Sequence, residues 1–164
     1  MIGALKPFDE KEHDTWDKKG KDALLQKLRK KIPEYDHIEN DNKYGIDVLS
    51  ISKKTGKVVM AWEVEVRYEN WKGDIDFPFD KINCIERKDH LWKRSQKMRN
   101  DILPYEIADD ALVVYVQMNN LCNRAVLIDG DIILKYKQIP WANRKANNEY
   151  VRQVDIFRTK QINL

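Results

Sequence analysis

Three carboxylates, Asp47, Glu63 and Glu65, sit in the stretch 45-GIDVLSISKKTGKVVMAWEVEVR-67, among Val, Ile, Met and Trp. Carboxylates are depleted in β-strands, yet both arms of this stretch have strand composition and are joined by the turn residues KKTGK. Alternation in the second arm puts Val58, Met60, Trp62, Val64 and Val66 on one face. Ala61, Glu63, Glu65 and Arg67 then take the other. A turn centred near Thr55 sets Asp47 opposite Glu63, on the same face. Like charges gathered this way repel unless a cation stands between them. That cation is either a Lys or Arg side chain or a divalent metal ion. Carboxylate oxygens suit Mg2+, Mn2+ or Ca2+, and Mg2+ in particular takes a few carboxylates completed by water and phosphate oxygens. Along a strand rising ~3.3 Å per residue, Glu63 and Glu65 are about 6.6 Å apart, close enough to converge on one ion.

The elements that must hold these residues are legible on both sides. Residues 9–31 predict a first helix, with Ala23, Leu24, Leu28 and Ile32 at three-to-four spacing, Trp16 a turn or two earlier, and lysines on the opposite face. Pro33 ends it, and Gly20 within it marks a place for close packing. Residues 34–45 read as a polar, turn-rich segment, and 68–80 as a loop. KINCIER reads as a short strand, KDHLWKRSQKMRND as one helix, and ALVVYVQM (111–118) as a buried strand. In RAVLIDGDIILKYKQI, Asp129-Gly130-Asp131 reads as a turn between two strands, and VDIFRT as a further short strand. The expected fold is α/β of the mixed α+β kind, a central mixed sheet flanked by helices, in one domain spanning 1–164.

Composition sets bounds on this reading. The 164 residues are 42% hydrophobic and 35% charged, with no apolar run near the ~20 residues of a membrane span. Nothing at the N-terminus has the pattern of a secretory signal. Cys84 and Cys122 lack metal-ligand spacing and read as buried apolar residues. A soluble cytoplasmic protein without membrane contact is expected. The net charge of +3 is unevenly spread. Residues 81–99 hold Lys81, Arg87, Lys88, Lys93, Arg94, Lys97 and Arg99 against only Glu86 and Asp89. Such a segment is either a solvated helix face or a contact for a polyanion, and phosphate contacts of that kind are sequence-independent and salt-sensitive. His13, His37 and His90 share no metal-site spacing, although His90, just after Arg87-Lys88, is placed to reach a phosphate. Trp62 reads as core, and Trp71 either as a cap on the core edge or as a base-stacking residue.

The carboxylate hairpin resembles the PD-(D/E)XK nuclease superfamily, the restriction-endonuclease-like fold. There an Asp begins one strand of a hairpin and a Glu-x-Lys motif occupies the next. Gly45-Ile46-Asp47-Val48 is similar to the first element, with Ile46 where the family name has proline. Glu63-Val64-Glu65 is similar to the second, with Glu65 where lysine is usual; an offset match, Glu65-Val66-Arg67, keeps a basic third residue. The resemblance extends to the first helix, where Asp22 matches an acidic residue near the metal. It extends also to Phe77-Pro78-Phe79 and the run Ile82–Lys88, where a basic pair follows the core strand. It covers roughly residues 17–129.

What the resemblance implies is hydrolysis of DNA phosphodiesters. Asp47 and Glu63, with Asp22 nearby, would hold Mg2+ or Mn2+, which polarises the phosphate and activates a water. Glu65 would act as a base or help bind a second metal, and Lys88 or Arg87 would supply the missing cation. Arg67, Arg87, Lys88, Lys93, Arg94 and Lys97 would contact nucleic acid, double-stranded DNA before single-stranded, with a homodimer as the assembly that cuts both strands. Two other readings stand beside this one. One is a relative that binds nucleic acid without cutting it; the other is an unrelated α+β interaction module whose acids pair Arg67 or a lysine.

Overall fold

In a computed structural model, residues 9–141 and 149–164 are described. The chain forms a mixed α+β fold. Helix α1 (Glu10–Lys31) precedes the strands β1 (Tyr35–Glu39), β2 (Val48–Ser52), β3 (Val58–Val66) and β4 (Lys81–Ile85). A 3-10 turn (Glu86–Lys88) and two short helices, α2 (Asp89–Trp92) and α3 (Gln96–Asp101), lead into β5 (Ile107–Met118). Then follow β6 (Arg124–Asp129), α4 (Gly130–Ile133), β7 (Ile139–Pro140), β8 (Tyr150–Asp155) and β9 (Lys160–Asn163). Six strands make one mixed sheet in the order β1-β2-β3-β5-β6-β9, and β4-β8-β7 make a second. Among the described residues of the large sheet only β3 and β5 run parallel. A parallel neighbour needs a long crossover, and residues 67–106 supply it, carrying β4 and the basic segment over one face.

Each face of the large sheet has its own apolar cluster. Leu24, Leu25 and Leu28 of α1 pack with Val48, Trp62, Val64, Val66, Val116 and Met118. The helix packs tightly on β3 at Gly20, where an added Cβ would stand 2.6 Å from Val66 Cγ2 and 3.1 Å from Val64 Cγ1. The sequence expectation of close packing there holds. On the other face Leu49, Ala61, Val113 and Tyr115 pack with Ile82 and Cys84 of β4, Trp92, Met98 and Ile133. That layer is a small sheet plus short helices, so the central mixed sheet is flanked by helices as expected, with β4-β8-β7 added on one side.

Several local expectations are corrected. Residues 35–39 are a strand, not turn, and β1 pairs antiparallel with β2 along its whole length. Its sole buried residue is His37, whose ring nitrogens bond Ser50 Oγ (2.7 Å) and the Ile32 carbonyl (2.6 Å), so its composition hides its place in the sheet. Residues 88–101 are two helices rather than one. Arg94 takes a φ of 50°, and Ser95 then caps α3 by accepting from Met98 N. Asp129-Gly130-Asp131 is a helix start, not a hairpin turn: the Asp129 side chain accepts from Asp131 N at 2.8 Å. Gly130 is required by packing, because a Cβ there would lie 3.0 Å from the Val113 carbonyl oxygen. The last predicted strand shifts to Tyr150–Asp155, with Ile156–Arg158 forming a 3-10 turn.

Candidate active site

The site arises where two strands part company. β2 pairs with β3 as far as Val48 opposite Trp62, while β3 continues beside β5 to Val66 opposite Met118. At the point of divergence Asp47 replaces the missing strand neighbour: its Oδ2 accepts from Val64 N at 2.7 Å. The register that pairs Val48 with Trp62 brings Asp47 opposite Glu63, as the sequence suggests. The alternation along β3 differs at its start. A bulge between Val58 and Met60 turns Val58 to the face of Ala61, whereas Trp62, Val64 and Val66 face α1.

Beyond the divergence lies a cleft of about 610 Å³, lined by Asp47, Glu63, Glu65, Lys88, Arg87, His90 and Lys97 and walled by Asp14, Trp16 and Asp17 of α1. Glu63 receives a hydrogen bond from Lys88 Nζ, and Glu65 receives one from the Tyr115 hydroxyl. The same lysine ammonium stands 5.6 Å above the Tyr115 ring, and Trp92 stacks on that ring at 5.2 Å. Asp47 Oδ1 is 3.3 Å from Lys21 Nζ, which also holds Asp17 at 2.8 Å and Glu39 at 3.5 Å.

The turn that presents Lys88 is anchored by its next residue. Asp89 is buried, and its Oδ2 accepts from Arg152 Nη2 of β8 at 2.9 Å and from Gln138 Nε2 at 2.7 Å. Arg152 also donates to the Tyr136 carbonyl. The second sheet therefore serves the first: β8 fixes Asp89, and Asp89 fixes the backbone from which Lys88 reaches Glu63.

Burial and close charges perturb the groups at the centre of the cleft. Burial and the facing Glu63 carboxylate push the Asp47 carboxyl up to about 8, against the Val64 N–H bond and Lys21, which lower it. Burial acts to lower the Lys88 ammonium, but the charges of Glu63 and Glu65 outweigh it and leave it raised. Burial and the Glu65 charge hold the Tyr115 hydroxyl well above its ordinary value, so it remains a donor.

The donor set suits a divalent ion in kind. Asp47, just before β2, and Glu63 of β3 offer hard oxygens that face each other, and a cation would offset the burial and the facing charge that raise the Asp47 carboxyl. Among the described residues no group of three or more His, Cys, Asp or Glu side chains stands in metal-holding geometry. Two carboxylates are nevertheless the ordinary protein share of a Mg2+ site whose other ligands are water and phosphate.

The other candidates separate. Asp22 is 57% exposed and pairs with Lys18 on the outer face of α1, so the helix acid beside the site is Asp17. The α-helical period explains the error: five residues from Asp17 is past one full turn. Arg67 is committed to Gln117 Oε1 (3.0 Å) and Asn70 Oδ1 (2.9 Å). Arg94 donates to the carbonyls of Asp109 and Ala111, so it braces the chain instead of facing the cleft. Lys93 is exposed away from the cleft lining, whereas Lys97 lines it beside its partner Asp101. His90 lines it too, with Nδ1 against the Arg87 carbonyl. Trp71 is buried in the core, which excludes base stacking by that residue, and both cysteines are buried.

Sequence reasoning missed Lys21, Asp17 and Tyr115. Lys21 and Asp17 share one helix face at four-residue spacing, a signal the sequence carried. Tyr115 sits inside an apolar strand and carries none. Among the described residues no helix is long and apolar enough to cross a membrane. No protein-family model matches the chain, and no curated protein matches it.

Proposed function

We propose that this protein is a metal-dependent endonuclease that hydrolyses phosphodiester bonds in DNA, of the restriction-endonuclease-like kind. One observation carries the reading: Lys88, from outside the hairpin, brings its ammonium to the acidic pair, where the hairpin itself has Glu65 in place of a lysine. A structural ion pair alone gives no reason for three carboxylates, a lysine and a capped tyrosine to meet at an open cleft.

Held by Asp47 and Glu63, Mg2+ or Mn2+ would supply Lewis-acid polarisation of the phosphate and an activated water. The chain's own groups do the rest. Lys88 sets a fixed positive charge where negative charge develops on the phosphoryl oxygens. The Tyr115 hydroxyl pins one Glu65 oxygen and leaves the other to orient or deprotonate a water. Lys21 holds Asp47 against the Val64 amide, so the carboxyl group is in place before the ion arrives, which would displace its proton. Arg87 and Lys97 at the rim take the DNA backbone. A cytoplasmic setting and a homodimer that cuts both strands go with this reading.

Purified protein should nick or linearise plasmid DNA with Mg2+ or Mn2+ and not with EDTA. Asp47→Ala and Glu63→Ala should abolish cutting while retaining the circular dichroism of the folded chain. Variants that cut as well as the wild type would place the chemistry elsewhere. A second reading rests on Lys21 and Lys88, which already pair with Asp47 and Glu63: a protein that binds DNA without cutting it. Binding with no cleavage under any divalent ion would select it.

A further inference from the structure

The lip of the cleft carries an aromatic side chain that nothing in the mechanism uses. Tyr44 is 82% exposed and lines the cleft three residues before Asp47, so their Cα atoms are at most about 11 Å apart. Exposure on this scale is usually a property of a loose loop tip, but this loop is pinned. Asn40 Nδ2 donates to the Ile46 carbonyl at 2.9 Å and to the Asp101 carbonyl at 3.0 Å. Asn42 Oδ1 accepts from Tyr44 N at 3.0 Å, its Nδ2 reaches Asp101 Oδ1 at 3.3 Å, and Gly45 N donates to the Asn42 carbonyl. Gly45 itself packs so tightly that a Cβ would stand 2.6 Å from Asn40 Nδ2 and 3.0 Å from the Asp101 carbonyl oxygen. A large apolar ring is thus held out to solvent on a fixed backbone, beside the reacting groups.

The cleft has a second aromatic element. Trp16 of α1 and Tyr68 stack at 5.3 Å with planes 5° apart, and both line the cleft. Two cations, Arg87 and Lys97, line the same cleft. Cations that track a backbone, alternating with exposed rings that take base faces, are the elements of single-strand recognition. Paired bases stacked in a duplex offer no free face to such a ring.

Resting on the endonuclease reading, we infer that Tyr44 is a stacking platform for an unpaired base next to the scissile phosphate. The preferred substrate class is then DNA that carries a single-stranded nucleotide at the cut, such as a duplex with an overhang or a branch.

The test uses the full chain with Ca2+ for binding and Mn2+ for cleavage. The probes are a blunt duplex and the same duplex with a single-stranded extension carrying 2-aminopurine at the junction. The extended probe should bind tighter than the blunt one and lose fluorescence as the base stacks. Tyr44→Ala should weaken its binding roughly 5- to 150-fold, the worth of one base–aromatic stack, and restore the fluorescence. Tyr44→Trp should preserve both, and the blunt duplex should respond little to either change. Equal affinity for the two probes, or Tyr44→Ala binding both as the wild type does, would overturn the platform. In that case cutting by the wild type in Mn2+ would leave the endonuclease reading standing. Stacking observed in Ca2+ without any cutting in Mn2+ would uphold the platform and fail the endonuclease.

Discussion

The Lys88 ammonium donates to the Glu63 carboxylate from a 3-10 turn twenty-five residues further along the chain. The lysine thereby stands where the hairpin itself offers only Glu65. If that ammonium serves catalysis, Lys88→Met should lower the cleavage rate by about 10²- to 10³-fold, the usual loss for one preorganised donor at developing charge. It should also destabilise the protein in EDTA by about 1–3 kcal/mol, less than the loss from a fully buried pair because Lys88 keeps 22% exposure. Mn2+ should then raise the melting temperature of the variant more than that of the wild type, since it replaces the missing charge. A melting temperature indifferent to Mn2+ in both proteins would make the pair purely structural.

Asp47 gives the site a pH signature with a definite sign. Its carboxyl titrates near 3.8 in the unfolded chain and near 8 in the fold. Between those values the folded form keeps a proton that the unfolded form has lost, so stability falls as pH rises through that window. Asp47→Asn cannot lose the proton and still offers an oxygen to Val64 N. Its melting temperature should match the wild type near pH 4 and exceed it increasingly toward pH 8 in EDTA. Metal competes for the same oxygen, so Mn2+ affinity should rise up to about pH 8 with release of a proton. Calorimetry in two buffers of different ionisation enthalpy measures that release.

Within the basic segment the structure separates cations that brace the fold from those that face the cleft. Arg94→Ala should cost about 1–3 kcal/mol of stability, as expected when the partly buried Ala111 carbonyl loses its donor, with the salt dependence of DNA binding unchanged. Arg87→Gln with Lys97→Gln should leave stability nearly intact and reduce the slope of log K against log salt by ~1 for each phosphate no longer neutralised. The reverse pattern in filter-binding and thermal melts would refute the division.

Much of the fold was legible because its signals are local. The period of α1, the alternation of β3 and the apolar run of β5 each follow from burying one face or two. Elements held by polar bonds to distant partners were not. β1 reads as loop because its buried position is a histidine satisfied by Ser50 and Ile32. Arg94 reads as a DNA contact because nothing nearby in the chain predicts that Asp109 and Ala111 will present carbonyls to it. Gly130 reads as a turn glycine because the carbonyl of Val113 that crowds it belongs to another strand.

The sequence by itself determined the acidic hairpin: alternation and turn position place Asp47 opposite Glu63, since a strand pair has one register that buries its apolar side. Only the tertiary structure decided what meets that pair. Lys21 comes from the helix, Lys88 from the crossover and Tyr115 from the parallel neighbour. Which element crosses a sheet, and with which residue foremost, depends on packing between layers, and no local pattern encodes it.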